Sequence, residues 1–262
     1  MKKYLIKIPF FGPLGRRVGR ELRNISRALR NKQPERFKFS RIQFDSTSPT
    51  SQCSGPEQAR IINLLNYTKT SQSSYSGEKY PAGYHAIELP GLSLHGQRDP
   101  QKRIPLIPFD FTGKTVLDIG SNQGGMLFAL AGVIRHGVGI DYDHRLVNAA
   151  NKVRSHSRIS NLDFYVFDLE KEDLNLILDF LPVEKVDVVF LLAVCVWIKN
   201  WREVVRFART VGDALLFEAN GKPEQQQEQV DFLTATYTSV QLLQEHSLDD
   251  PHHQKRKLYW CR

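Results

Sequence analysis

The sequence predicts an α/β protein whose mostly parallel sheet is covered by helices on both faces. Three observations carry this. From Gly113 onward, short apolar runs alternate with stretches of helical periodicity, the rhythm of strand–helix units. The runs are continuously apolar, as strands buried on both faces must be. A glycine-rich turn, "GSNQGG", closes the first run, "TVLDI", at the seam between strand and helix.

Before that rhythm begins, the chain changes character twice. Residues 1–50 hold thirteen Lys and Arg against three Asp and Glu, and the remainder holds twenty-three against twenty-five. The overall charge of +8 therefore belongs to the N-terminal segment. Residues 1–44 form a basic leader in which Leu14, Val18, Leu22, Ile25 and Leu29 recur at helical spacing among arginines. Such a segment suits an anionic partner, whether an anionic membrane surface, RNA or a phosphorylated glycan. It equally suits packing on its own domain with the arginines in water. The opening "MKKYLIKIPFFGPLGRR" imitates a signal peptide, but Lys7, Pro9, Gly12 and Pro13 interrupt it, and it reads as retained. Residues 45–112 combine a Ser/Thr/Pro-rich linker, a short helix from Pro56 to about Asn66, a polar loop at Thr68–Gly83 and a mixed segment, "YHAIELPGLSLHGQRDPQKRI", at Tyr84–Ile104.

In the third region, 113–262, the strands are "TVLDIG", "GVGID", "DFYVFD", "VDVVFLLA" and "ALLFEA". The helical stretches between and after them are Gly125–Arg135, His144–Ser155, one near Asp173–Phe180, Trp201–Val211 and Pro223–Tyr237. "VQLLQE" and "KLYWC" follow, joined by polar residues without a helical pattern, which suits an antiparallel pair at one edge. The longest apolar run, Val188–Ile198, is too short to span a bilayer. Cys53, Cys195 and Cys261 are odd in number and form no C-x-x-C, so neither a disulfide framework nor a zinc site is expected, and a reducing compartment fits best.

Open α/β sheets bind ligands beyond the carboxyl ends of their strands. The turn there reads D-x-G-x-x-x-G, from Asp118 to Gly124. It is neither the G-x-G-x-x-G dinucleotide fingerprint nor a P-loop, since it lacks the lysine. Asp141 ends the second strand, 23 residues after Asp118, where a carboxylate suits ribose hydroxyls. Asp168 ends the third, where it can accept from an exocyclic amine. Glu170, Glu172 and Asp173 crowd it and could take that role. Helix capping and surface solvation are the plainer explanation of such acids, but three in order at successive strand ends form a pattern.

These residues resemble the class I S-adenosylmethionine (SAM)-dependent methyltransferases over Gly113–Arg262. "VLDIGSNQGG", "GIDYD", "FDLEKEDL" and "VDVVFLLAVCVWI" match their first, second, adenine-side and fourth motifs in turn. The resemblance implies a Rossmann-like, seven-stranded, mostly parallel sheet with an antiparallel last strand, here preceded by a basic helical extension. It implies SAM as cofactor, with Asp118, Gly120, Ser121 and Gly124 around its methionine part. Asp141 would lie on the ribose, Tyr142 beside the adenine, and Asp168 with the Leu169 backbone on the adenine edge. Two positions depart from the pattern. Asn122 replaces the usual middle glycine, and its side chain either contacts the cofactor or tolerates a left-handed backbone. Trp197 stands where many relatives have histidine. The Tyr84–Ile104 segment is similar to the one preceding the core in methyltransferases like the tRNA wobble-uridine carboxymethyltransferases, where it helps cover the cofactor.

His85 and Glu88 are the candidate catalytic bases, with Glu218 behind them, although His85 equally fits a structural role ordering the cover segment. Tyr84, Trp197, Glu218 and Asn220 are candidates for substrate binding. Cys195 reads as inert core. A carboxylated SAM would need a cation near the methyl, and Arg98, Lys102 and Arg103 are available. No metal and no obligate protein partner are expected. The expected activity is methyl transfer to an oxygen or nitrogen acceptor on a small-molecule, glycan or lipid-linked substrate near a membrane. An RNA methyltransferase whose leader contacts phosphates is the alternative, and a non-catalytic SAM-binding module the third. The expected location is cytoplasmic, peripheral on the inner face of a membrane if the leader binds lipid.

Overall fold

In a computed structural model the described residues are 56–69, 75, 79–247, 249–250, 252 and 255–262. The leader and the Ser/Thr/Pro linker lie outside them. The first helix, α1 (Pro56–Thr68), has Pro at its start, where the missing N–H costs no intrahelical bond. Four short strands follow: β1 (Gly83–His85), β2 (Ile87–Leu89), β3 (Leu92–Leu94) and β4 (Gly96–Arg98). β1 pairs with β4 in parallel, and β2 with β3 as a hairpin turning at Pro90–Gly91. A one-turn helix, α2 (Pro100–Arg103), is capped by Asp99, whose carboxylate accepts from the Gln101 amide.

The core strands are β5 (Thr115–Ile119), β6 (His136–Asp141), β7 (Leu162–Val166), β8 (Val186–Leu192), β9 (Gly212–Glu218), β10 (Val240–Gln244) and β11 (Leu258–Cys261). They form one seven-stranded sheet in the order β10-β11-β9-β8-β5-β6-β7. β11 is antiparallel to both of its neighbours, and the pairs from β9 through β7 are parallel. β10 and β11 pair antiparallel, and β11 lies inside the sheet, leaving β10 at the edge. The chain leaves β5 for β6 on one side and returns as β8 on the other. The carboxyl end of β5 is thus the topological switch point, where crossovers diverge and leave a crevice.

The remaining helices are α3 (Gly125–Leu130), α4 (His144–His156), α5 (Trp201–Val211) and α6 (Pro223–Thr236). α3 is shorter than the pattern predicts. Val133 and Ile134 both donate to the Leu130 carbonyl beside Gly132, a poor helix former, so the last turn unwinds. The stretch after Asp173 is a 3₁₀ helix, Leu174–Phe180. Alternate strand residues pack on opposite faces. Val116, Val188, Phe190 and Leu216 join one core with residues of α1, α3 and α4, and Leu117, Ile119, Val189 and Phe217 join another with residues of α5 and α6. Among the described residues, no helix is long and apolar enough to cross a membrane.

What holds the four-stranded cover over the sheet is a buried network of charges. Arg98 forks onto Glu218, Nη1 to Oε2 at 2.9 Å and Nη2 to Oε1 at 2.8 Å. Its Nε donates to Asp249 at 2.9 Å. Arg103 Nη2 donates to Glu218 at 2.9 Å, as does the Ser247 hydroxyl. Gln97 Nε2 reaches Asp250 at 2.9 Å. Arg98, Arg103, Glu218, Asp249 and Asp250 are all buried. Two-point arginine–carboxylate pairing fixes orientation as well as distance.

Removing Glu218 would take the central carboxylate from two buried guanidinium groups and leave them to share Asp249 and Asp250. Glu218→Ala should therefore lower unfolding stability by about 3–5 kcal/mol, read from the midpoint of urea denaturation.

Candidate functional site

The loop after β5 curls over the end of β6. Gly120 N and Ser121 N both donate to the Ile140 carbonyl at 2.9 Å. Gly120 takes φ 78°, and a Cβ there would lie 2.5 Å from Val194 Cγ2, so both conformation and space demand glycine. Asn122 is also left-handed, φ 52°, and its Oδ1 accepts from the Gln123 amide at 2.9 Å. Its side chain thus serves the turn, accepting from the backbone of the next residue, and Asn is among the residues that tolerate a left-handed backbone. Gly124, φ 82°, caps α3. Ser121 Oγ is buried without a hydrogen-bond partner among the described residues.

Asp141 grips this loop. Its Oδ2 accepts from Asn122 N and its Oδ1 from Asp143 N, each at 2.9 Å. Each oxygen keeps a further lone pair for a ligand hydroxyl. Burial raises its carboxyl above the usual range, against the pull of those amides. Asp118, 2 % exposed, is pushed up to about 8 by burial and by the charge of Asp141. Among the described residues neither acid is paired with a side-chain cation. Two desolvated carboxylates without a countercharge favour a ligand bringing positive charge and hydroxyls. Tyr142 follows on the rim, 75 % exposed, with its ring open to solvent. Asp168 at the next strand end differs. Its Oδ2 accepts from Lys171 Nζ at 2.6 Å, its Oδ1 from Glu170 N, and its own amide donates to Glu172 Oε1. The Lys171 bond holds its carboxyl below the usual range. The neighbouring acids thus shape its turn, and the Leu169 carbonyl accepts from Asn200 Nδ2 at 2.6 Å.

The cover is fastened to the loop by Gln123, a residue the sequence reading passed over. Gln123 Nε2 donates to the carbonyls of Ala82 and of His85, the latter at 2.9 Å. His85 packs on the start of α3, where a Cβ on Gly125 would lie 2.2 Å from its own. Burial, with the charge of Arg98 adding, pushes its imidazole down to about 3. So weak a base has little driving force to take a proton near neutrality, and the catalytic expectation for His85 gives way to the structural one. Glu88 is exposed on the β2–β3 hairpin, opposite buried Ile87, and accepts from Ser93 Oγ at 2.9 Å. It is a cross-strand pair on the solvent side, which removes the reason for proposing it as a base. Tyr84 is half-buried, its hydroxyl accepting from Arg98 Nη1 at 3.0 Å and Arg256 Nη1 at 3.1 Å.

Beyond β8 the chain turns through Ala193, φ 60°, into a short 3₁₀ helix, Cys195–Trp197, which leaves Trp197 76 % exposed. Asn220 holds this loop from behind. Its Nδ2 donates to the Ala193 carbonyl at 2.6 Å, and its Oδ1 accepts from Val196 N at 3.3 Å. The Gln229 amide in turn clamps the Asn220 backbone at 3.1 and 2.9 Å. Asn220 and Glu218 are thus buried and occupied by the protein, which corrects the expectation that they bind substrate. Of the three cations considered for a modified cofactor, Arg98 and Arg103 pair with buried acids, and Lys102 is exposed beside Asp99. Burial pushes the Cys195 thiol up to about 12, where it is protonated and unreactive.

A family model described as a methyltransferase domain matches residues 110–249. No curated protein matches the sequence. Among solved structures, the N-terminal domain of EvdMO1 with SAH bound is 14 % identical at TM-score 0.55, covering 78 % of this chain and 94 % of that one. The bifunctional kinase-methyltransferase WbdD is 17 % identical at TM-score 0.52, covering 76 % of this chain but only 45 % of that one. Likenesses at such identities establish the fold.

Two outcomes follow from the geometry. Asp118 in the folded, ligand-free protein holds a proton from about pH 4 to about 8 that the unfolded chain has released. That contribution to stability is full below the unfolded value of 3.8 and is lost as pH rises toward 8. The melting temperature of the wild type should fall relative to that of Asp118→Asn between pH 5 and 8. Ala193→Gly should relieve the left-handed backbone and raise unfolding stability by about 1 kcal/mol, read by chemical denaturation.

Proposed function

Because the chain belongs to the methyltransferase-domain family and is a class I SAM-dependent methyltransferase, we propose that it methylates an oxygen or nitrogen atom of a small-molecule, glycan or lipid-linked acceptor close to a membrane. SAM, its cofactor, supplies an electrophilic methyl group on a sulfonium. The chain's residues divide the remaining work. Asp141 takes the ribose hydroxyls on the lone pairs its backbone donors leave. Asp118 faces the positive charge of the amino-acid end, and Gly120–Gly124 lets the backbone close around it. Tyr142 lies along the adenine, with Asp168 and Leu169 at its edge. The fit is supported by the two buried acids, which among the described residues lack a side-chain countercharge.

The acceptor reading rests chiefly on one observation, the separation of charge along the chain. The excess of Lys and Arg is confined to the first 50 residues, and the remainder is slightly acidic. At the adenine side of the site the exposed side chains include Glu170, Glu172 and Asp173. A polyanionic acceptor laid across this rim would meet repulsion. A small or glycan acceptor meets none, and Trp197 offers it an exposed ring. The leader then serves as attachment, its apolar stripe in lipid and its arginines at anionic headgroups. RNA is the second reading, favoured by those same arginines. Catalysis would come mainly from holding acceptor and methyl in line, which can supply most of the rate.

Methyl-labelled SAM incubated with the full-length protein and host extract, then partitioned, decides between these readings. Label in the organic or glycan fraction is expected. Label in RNA would transfer the leader's role to phosphate contacts, and no transfer despite SAM binding would favour the binding module.

A further inference from the structure

The glycine-rich loop has acids without a cation, and close to it lies a cation without an acid. Lys69 follows the last residue of α1 and is buried. Its Nζ donates to Asn66 Oδ1 at 2.7 Å, and among the described residues no carboxylate pairs with it. Burial alone pushes its ammonium down to about 8. A desolvated ammonium with only a neutral partner is costly, and an anion arriving beside it removes much of that cost.

Its position says where that anion would be. A Cβ on Gly83 would lie 3.3 Å from Gln123 Oε1, 3.7 Å from Lys69 Cε and 3.7 Å from Tyr75 Cδ2. Side chains from the residue after α1, from the loop before β1 and from the glycine-rich loop thus converge on one nook. Gln123 is itself a loop residue, placed between Asn122 and Gly124, and its Oε1 is buried without a hydrogen-bond partner among the described residues. α1 packs on α4 and on β1, and the shared approach to Gly83 brings Lys69 beside the glycine-rich loop.

The amino-acid end of SAM, and of SAH, is a zwitterion at neutral pH, with an ionised carboxylate and a charged amine. We propose that Lys69 is the counter-ion of that carboxylate, on the side of the loop opposite the acids that face the amine. The inference rests on the SAM reading of this loop and adds a binding residue outside the methyltransferase motifs.

Calorimetry on the full-length protein tests it with two probes. SAH carries the amino-acid end, and 5′-methylthioadenosine keeps the nucleoside and sulfur but lacks it. Lys69→Met should weaken SAH about 10- to 100-fold, the range for a charge-assisted bond, and leave methylthioadenosine within about twofold of wild type. Lys69→Arg should recover most of the SAH affinity. Unchanged SAH binding in Lys69→Met, or an equal loss for both probes, would overturn the assignment. Failure of the wild type to bind either probe would instead remove the SAM reading on which it rests.

Discussion

The carboxylate of Glu218 joins parts of the chain that have no other reason to meet. It ends β9, accepts both arms of Arg98 from the cover strand β4, accepts Arg103 from α2, and takes the Ser247 hydroxyl from the β10–β11 connection. Its own backbone carbonyl receives Ala193 N, so the loop carrying Trp197 is fixed to the same point. Ion pairs that fully buried gain little net stability over an apolar packing of the same shape. They do impose one geometry, because any other arrangement leaves a charge unpaired. Here that geometry brings β1 and β4 to the carboxyl ends of the central strands. Gln123 makes the second attachment, from the glycine-rich loop to the carbonyls of Ala82 and His85. Anchored at two ends, the cover behaves as part of the site wall.

The site inside that wall is electrostatically incomplete. Proteins seldom bury carboxylates without donors or cations, and those that do raise the carboxyl's proton affinity. Asp118 shows this strongly; Asp141, held by two amides, shows it less. The network around Glu218 is the contrast: its acids and arginines are matched within one connected set, so it has no need of a ligand. The two charge clusters therefore differ, one closing the fold and the other holding the acids that the proposed function assigns to the cofactor.

The central sheet was largely legible because doubly buried parallel strands have to be apolar without interruption. An acid that ends such a run, as at Asp118, Asp141 and Asp168, marks a strand end directly. Pro56 and Pro223 likewise marked helix starts. The cover was not legible as strands. β1 and β4 pair across a hairpin inserted between them, and three-residue strands carry too little alternation to declare a period. The roles of Glu218 and Arg98 were hidden for another reason. Their partners lie 120 positions apart, and Asp249 lies 151 from Arg98, so nothing local distinguishes a tethered acid from a substrate-binding one. Lys69 sat in a polar stretch that read as plain loop, and its burial beside Gly83 and Gln123 depends on contacts remote in sequence.

The cover also bears on the acceptor proposed above. An aliphatic hydroxyl attacks a methyl sulfonium poorly unless a base takes its proton, and an effective base has a proton affinity matched to the working pH. His85 falls far below that range, and Glu88 faces solvent across the hairpin from Ser93. An amine lone pair or an already ionised oxygen needs no such base to attack; it needs alignment. A wall fixed at two ends by Glu218 and Gln123, with a rigidly held loop presenting Trp197, supplies alignment. Under the proposed methyl transfer these buried contacts supply the positioning, and a hydroxyl acceptor would need a base other than His85 or Glu88.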